Sequence, residues 1–489
     1  MNTTRLITGI TFFAIFAMAA RVSVDTDTWW HLRTGAWIME QRAIPQVDPF
    51  SYTRLGEEWR IPGWLVQVPM AWMYGVGGPG LLNLWVAGMV TLAFGFTWRA
   101  MEGGAFLKAF VSILAAVTAG VYWAARPYMM TFLLAAVFLW ILEDWRRGKK
   151  NRLWVLPFLM LVWANSHGGF VVGVILFGVY AAGRLKVEGS RLKVHFADNA
   201  NVSTFNVQRS TQSLILFGAA LLIAAMLTPV GPRLLLYPFQ TVRIEALQDF
   251  IQEWQSPNFH ETQVQPFAWM IFLILGAVGV SKKGLLLEEF LLVAGFGYLG
   301  LAAGRNISLF ALVGAVVLAR HADGVLGGAA QALGVRWSPR VRVPRGLSIL
   351  NGILLGIVAL AAGVKAASIY PVSVNEVEFA NFLPVEAVEF IRESQPEGRL
   401  FNSYNWGAYL LWALPEYPVF VDGRTDLYND EVIGQWFQAA RAEPGWEAVL
   451  EEWGVNLVLI EPGLPLARAL EEADWEELYR DDVAVVYGR

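Results

Sequence analysis

The chain has 489 residues, 56% of them hydrophobic and 16% charged, with mean hydropathy +0.44, 22 Trp and no Cys. Soluble domains carry about 25% charged residues, so a water-soluble globule is excluded and a polytopic membrane protein is implied. The missing cysteines exclude disulfides, zinc–thiolate sites and thiol nucleophiles. The formal charge is −4, yet residues 371–489 hold 23 Asp and Glu against 7 Arg and no Lys, so the rest of the chain is net positive.

In chain order, apolar runs predict spans near 6–22, 81–99, 107–124, 128–142, 153–165, 169–183, 212–229, 267–280, 285–303, 306–320 and 347–367. Several fall short of the ~20 residues needed to cross a bilayer. The first run ends in Ala17-Met18-Ala19, which also fits a cleaved leader; the ten spans behind it favour an uncleaved first helix. A first external loop, 23–80, follows. It opens with Asp25-Thr26-Asp27 and a Trp-rich helix in which Trp29, Leu32, Ala36 and Met39 share one face. Trp favours membrane interfaces, so that face beds in the headgroup region. Residues 62–76, with two prolines and two glycines, read as an interfacial or re-entrant helix.

The positive-inside rule orients the bundle. With the N-terminus inside, segments 99–108, 145–152, 184–211, 281–284 and 320–346 together with Arg5 hold 20 Lys and Arg, against 9 in the outer segments between Arg21 and Arg305. Eleven spans with an external acidic C-terminal domain is the consistent solution. The expected organisation is a transmembrane domain over 1–370 and an external α/β domain over 371–489. In the latter, helices are expected near 384–394, 407–414, 431–441, 446–453 and 465–473, and strands near 399–404, 418–422, 455–461 and 483–487. Strands alternating with helices imply a small layered domain. It has neither of the glycine-rich nucleotide-binding fingerprints, and nothing in the chain points to nucleic acid.

This topology gathers on one face the polar residues that sit oddly at span ends: Asp25, Asp27 and His31, Arg126, Asn165 and His167, Glu253, and Arg305 with Asn306. Carboxylates at a span end are costly unless they meet water, a cation or a substrate. Guanidinium groups suit phosphate because they stay charged and make paired contacts. Each residue also has a plainer reading. Asp27 would cap the helix that follows it, His167 would be a packing histidine, and Arg305 would reach for the interface. An Asp-x-Asp pair can also hold a divalent ion, so Asp25 and Asp27 are candidate metal ligands. In the tail, Asp422-Gly423-Arg424-Thr425-Asp426 puts acids and an arginine at a strand end, where α/β domains often place ligands; the plainer reading is a turn held by an internal Arg–Asp pair.

The run Asp25-Thr26-Asp27-Thr28-Trp29-Trp30-His31-Leu32-Arg33-Thr34-Gly35, then Ile44-Pro45-Gln46-Val47-Asp48-Pro49-Phe50-Ser51-Tyr52, resembles the first external loop of the GT-C glycosyltransferase superfamily. The similarity is to bacterial protein-O-mannosyltransferase-like members that use polyprenyl-phosphate sugars. Asn405-Trp406-Gly407-Ala408-Tyr409-Leu410 and Pro418-Val419-Phe420-Val421-Asp422-Gly423-Arg424-Thr425-Asp426-Leu427-Tyr428 resemble the C-terminal domain of that group. The resemblance implies inverting transfer from a polyprenyl-phosphate sugar to an acceptor glycan, lipid or protein at the outer face of the plasma membrane, with Asp25 or Asp27 as base. Arg126 and Arg305 are the candidates for the donor phosphate. His31, Asn165, His167, Glu253 and Asn306 are candidate site lining, and Trp406, Asp422, Arg424 and Asp426 candidate acceptor contacts. One departure is Arg60-Ile61-Pro62-Gly63-Trp64 before the second span, where many members carry a His-Pro-Pro-like or basic motif. The rival readings are a transporter or lipid flippase, which would favour mid-span charges and internal repeats, and a non-catalytic scaffold.

Overall fold

A computed structural model of the chain describes residues 1–197, 204–244, 251–332 and 344–489. Parts of the basic segments 184–211 and 320–346, and of the loop 229–266, lie outside the described residues. The bundle comprises α1 (Thr3–Ala19), α2 (Thr28–Gln41), α3 (Trp64–Ala100), α4 (Ala105–Ala119), α5 (Tyr128–Arg146), α6 (Leu156–Ala164), α7 (Val171–Ala197) and α8 (Thr204–Met226). It continues with α9 (Tyr237–Thr241), α10 (Gln265–Val280), α11 (Leu287–Ala302), α12 (Ile307–Ala332) and α13 (Arg345–Ser368).

Among the described residues, six helices are long and apolar enough to cross a membrane; a seventh results if Thr211–Met226 and Gly231–Thr241, bent by 106°, form one span. Thr3–Ala19, Leu153–Ala164 and Gln265–Val280 are apolar but shorter. The chain is thus a multi-pass helical membrane protein, although length and composition alone support fewer than the eleven spans expected.

Residues 64–76 form a helix that meets the helix of the second span at a kink, where Gly77 (φ −134°) and Gly78 (φ +59°) leave helical geometry, and α3 comprises the two. Gly78 supplies the left-handed turn, and two residues on, a Cβ at Gly80 would overlap the Tyr370 carbonyl.

At the end of α5 opposite Arg126, charge is buried and not confined to basic loops. Glu143 pairs with Arg146 and Arg147 and accepts from the Tyr180 hydroxyl at 2.6 Å, while Glu289 pairs with Arg320. Each carboxylate is matched by a cation, which makes its burial tolerable.

The C-terminal region adds α14 (Val372–Ala380), α15 (Val385–Ser394), β1 (Arg399–Asn402), α16 (Tyr404–Ala413), α17 (Thr425–Ala440), α18 (Trp446–Glu452), β2 (Val455–Ile460), α19 (Pro465–Glu472), β3 (Glu476–Arg480) and β4 (Val485–Gly488). The sheet order is β1-β2-β4-β3, with β1 and β2 parallel and the other pairs antiparallel. The segment 418–422 is extended but not a sheet strand. Its backbone is occupied elsewhere: Asn402 bonds Phe420 and Val421, and Tyr52 N donates to Val419 O at 3.2 Å. The polar β3 carries too little alternation to be read from sequence.

Candidate active site

Segment 21–28, between α1 and α2, is laced to segment 120–126, between α4 and α5. Arg21 donates to the Gly120 and Trp123 carbonyls, Ala125 N donates to Ser23 Oγ at 2.8 Å, and Thr28 Oγ1 donates to Ala125 O at 3.1 Å. These bonds hold the first-loop acids against Arg126. Asp25, not Asp27, caps α2. Its Oδ1 accepts from the N–H groups of Asp27 at 2.9 Å and Thr28 at 3.2 Å, while Oδ2 pairs with Arg126 Nε at 2.5 Å. Asp27 makes no capping bond. Its Oδ2 lies 3.2 Å from Arg126 Nη1, and its side chain is 24% exposed against 8% for Asp25.

Glu253 joins the two arginines. Its Oε2 is 3.0 Å from Arg126 Nη1 and its Oε1 is 3.2 Å from Arg305 Nη1. Arg305 also stacks over the Trp254 ring at 4.4 Å, and Gly304 N donates to Gln255 O at 3.0 Å. Five residues from four separate segments, Asp25, Asp27, Arg126, Glu253 and Arg305, therefore form one continuous ion cluster, three acids against two guanidiniums.

The remaining candidates divide between the cluster's walls and the packing behind it. His167 Nδ1 accepts from Gly169 N at 2.9 Å and lies 2.8 Å from Thr131 Oγ1, with its ring edge-on to Tyr128. Burial, with Arg305 nearby, pushes His167 down to about 3, so the ring is neutral at ordinary pH. His31 is buried, stacked on Trp30 and bonded to Gln67 at 2.9 Å. The side chain of Asn165 is bonded to Trp64, Leu161 and Leu227. Asn306 donates to Leu299 O, closing the end of α11.

The C-terminal region roofs the cluster. A Cβ at Gly423 would overlap Asp27 Oδ1, so only glycine lets this turn seat on the carboxylate. The Tyr404 hydroxyl lies 2.6 Å from Thr425 Oγ1, and the Tyr237 hydroxyl donates to Asp426 Oδ2 at 3.2 Å. Tyr237 also packs on Gly168, beside His167. Asp422 and Arg424, by contrast, are fully buried and satisfied: Arg424 pairs with Asp422 at 2.7 Å and with Asp48 at 2.5 Å. Trp406 is 2% exposed and donates to Phe382 O at 2.9 Å. These three have no surface for an acceptor, and the internal Arg–Asp turn is what forms. Asp426 is half-buried at the roof, its carboxylate accepting from Tyr237.

Burial is also the main electrostatic effect. It pushes the Asp27 carboxyl up to about 7 against the pull of Arg126, with Asp25 and Glu253 adding to the rise. Glu253 is subject to the same upward push, but Arg305 and Arg126 hold it below its ordinary value. Burial likewise opposes the Arg126 charge, and Asp25, Asp27 and Glu253 overcome it. Among the described residues no group of three or more His, Cys, Asp or Glu is arranged to hold a metal ion. Arg126 pairs with both Asp25 and Asp27. Tyr128, Tyr237, Tyr404 and Gly423 were not singled out as site residues from sequence; only Gly423, within a distinctive turn motif, left a signal there.

The sequence matches no protein-family model and no curated protein. Solved structures do match. Archaeal oligosaccharyltransferase AglB from Archaeoglobus fulgidus, in complex with an inhibitory peptide and a dolichol-phosphate, aligns with a TM-score of 0.58 at 12% identity, covering 94% of this chain and 70% of that one. The Archaeoglobus fulgidus oligosaccharyltransferase tethered to an acceptor peptide containing the NVT sequon aligns with a TM-score of 0.57 at 14% identity, covering 94% and 69%. ArnT from Cupriavidus metallidurans in the apo state covers 97% and 95% at 14% identity, but with a TM-score of 0.49. At these identities the likeness is one of architecture: the chain shares its overall fold with the two oligosaccharyltransferase structures.

Proposed function

We propose that this chain is an inverting membrane glycosyltransferase that moves a sugar from a polyprenyl-phosphate donor to an acceptor hydroxyl at the outer face of the plasma membrane. The observation that carries the reading is the convergence of Asp25, Asp27 and Glu253 with Arg126 and Arg305 at one end of the bundle. The acceptor oxygen attacks the anomeric carbon as its proton passes to a carboxylate, and the bond from that carbon to the phosphate oxygen breaks. The phosphate leaves with the electron pair. Asp27 suits the base: both oxygens of Asp25 are committed, one to the helix cap and one to Arg126, and Asp27 has the more exposed carboxylate. Arg126 and Arg305 neutralise the leaving phosphate, and Asp426, half-buried at the roof, is the acceptor contact.

Six long spans, the bent pair and the shorter apolar helices α1, α6 and α10 make ten crossings; we take the 16-residue α11 as the eleventh, and an odd count with the N-terminus inside supports an external region from residue 371. The decisive experiment uses the full chain in lipid nanodiscs with undecaprenyl-phosphate hexoses, read as release of undecaprenyl phosphate. Asp27→Asn keeps the side chain's shape but accepts no proton, so turnover is lost while the lipid still binds. Undiminished turnover in this variant refutes the assignment of the base, and undiminished turnover in the double variant with Asp25→Asn refutes the mechanism.

A further inference from the structure

The Asp48–Arg424–Asp422 cluster is the most deeply buried charge group of the described residues, and the transfer step above does not use it. Arg424 grips Asp422 with two nitrogens, Nε at 2.8 Å and Nη2 at 2.7 Å, and reaches Asp48 with Nη1. Its guanidinium lies over the Trp59 ring at 4.5 Å, and the Tyr428 hydroxyl donates to Asp422 Oδ2 at 2.7 Å. Asp48 belongs to the first loop and Asp422 to the C-terminal region, so one arginine joins the two. Beside it, Thr53 Oγ1 donates to Phe420 O at 2.6 Å.

Buried ion groups are poor sources of net stability, since well-packed apolar side chains of similar volume serve as well or better. What they supply is a fixed geometry. Here the fixed element is the residue between the two gripped positions, Gly423, and it is seated on the Asp27 carboxylate. Asp27 and Asp48 lie on the same loop, so the clamp closes a ring: from Asp27 along the first loop to Asp48, through Arg424, and back by Gly423 to Asp27.

We propose that Arg424 is a positioning residue for sugar transfer: by clamping Asp422 to Asp48 it holds Gly423 as the wall that seats and covers Asp27. The C-terminal region is then a structural part of the catalytic site. The inference rests on the reading of Asp27 as base, and its test has one arm independent of that reading.

Because the chain has no cysteine, Asp27→Cys places a single thiol behind the wall. In nanodiscs, adding Arg424→Lys to Asp27→Cys raises the rate of labelling by a charged methanethiosulfonate several-fold, because lysine keeps the charge but cannot grip two carboxylates at once. An unchanged labelling rate overturns the proposal whatever the chemistry of Asp27. In the second arm, Gly423→Ala leaves all three clamp charges in place and displaces the Asp27 carboxylate. Its kcat for undecaprenyl-phosphate hexose turnover falls at least about tenfold with KM for the lipid little changed. Gly434→Ala, where a Cβ meets nothing, is the control. Wild-type kcat in Gly423→Ala overturns the proposal. If Arg424→Lys fails to fold, Gly423→Ala carries the test. Full turnover in Asp27→Asn refutes the base alone and leaves the labelling arm to decide the clamp.

Discussion

Glu253→Gln tightens the binding of a lipid phosphate. Glu253 bridges the two guanidiniums assigned to the phosphate, at 3.0 Å from Arg126 and 3.2 Å from Arg305, so an incoming phosphate must take those contacts from it or sit beside it. Two unit negative charges about 5 Å apart repel by about 3 kcal/mol at an effective dielectric near 20. The Glu253 side chain is 23% exposed, so screening reduces this to about 1–2 kcal/mol. That corresponds to roughly five- to thirtyfold in Kd. Glutamine keeps the length and one acceptor oxygen, while its amide nitrogen cannot accept from a guanidinium, so the variant removes the charge together with one of the two arginine contacts. The assay is titration of undecaprenyl phosphate into the purified protein in nanodiscs, read by native mass spectrometry, for wild type and variant at two salt concentrations. An unchanged Kd, or a weaker one, refutes the reasoning. A weaker one would mean that Glu253 organises the two arginines instead of competing with their ligand.

Arg305→Lys weakens the same binding by about tenfold, since an ammonium loses the paired contacts to phosphate oxygens; an unchanged Kd would reduce Arg305 to an interfacial anchor. Arg126→Lys costs more, because Asp25, Asp27 and Glu253 all depend on that guanidinium. With burial holding Asp27 at about 7, its basic, deprotonated form is lost as pH falls. Turnover therefore drops about tenfold for each pH unit below that value, and a profile flat from pH 5 to 8 contradicts the assignment. In intact cells a cysteine at Gly434 reacts with an impermeant thiol reagent while one at Lys149 reacts only after the membrane is opened; the reverse pattern refutes the external placement of the C-terminal region. Gly407→Ala forces a Cβ into the Val421 carbonyl and destabilises the protein by about 1–3 kcal/mol, measured as a lower melting temperature.

The class of the molecule was legible from composition, and the components of its site from charges stranded at span ends. Asp25, Asp27, Arg126, Glu253 and Arg305 were all singled out on that ground, and the structure brings them into contact. Their division of labour was not legible. A capping preference belongs to a residue type at a helix start, and with two aspartates two residues apart the sequence favours the nearer one. The choice fell to Asp25 because segment 120–126 ties down Ser23 and Thr28, and the turn between them brings Asp25 under the helix end. The motif around Asp422 was conspicuous for a related reason: its residues are fixed by tertiary contacts. Arg424 could be read as a ligand grip because its true partner, Asp48, is 376 residues away. The break at Gly77–Gly78 was legible because paired glycines and a proline ordinarily end a helix; the packing of Gly80 on the Tyr370 carbonyl, far along the chain, was not.

The spread of the cluster along the chain follows from its setting. Charges at the end of a membrane bundle are tolerated only when matched, and no single segment here carries a matched set: the first loop brings acids, and the turns before α5 and α12 bring arginines. The cluster therefore neutralises itself in the absence of substrate, with each arginine already holding a carboxylate. Binding a phosphate must then be an exchange of anions, not the filling of an open positive pocket. A phosphate that takes both guanidiniums releases Glu253, and it withdraws Arg126 from Asp27 in proportion to the hold it takes. Loss of that partner raises the proton affinity of Asp27 beyond the value of about 7 it has beside Arg126, so the pH below which turnover falls lies higher in the donor complex than in the free protein.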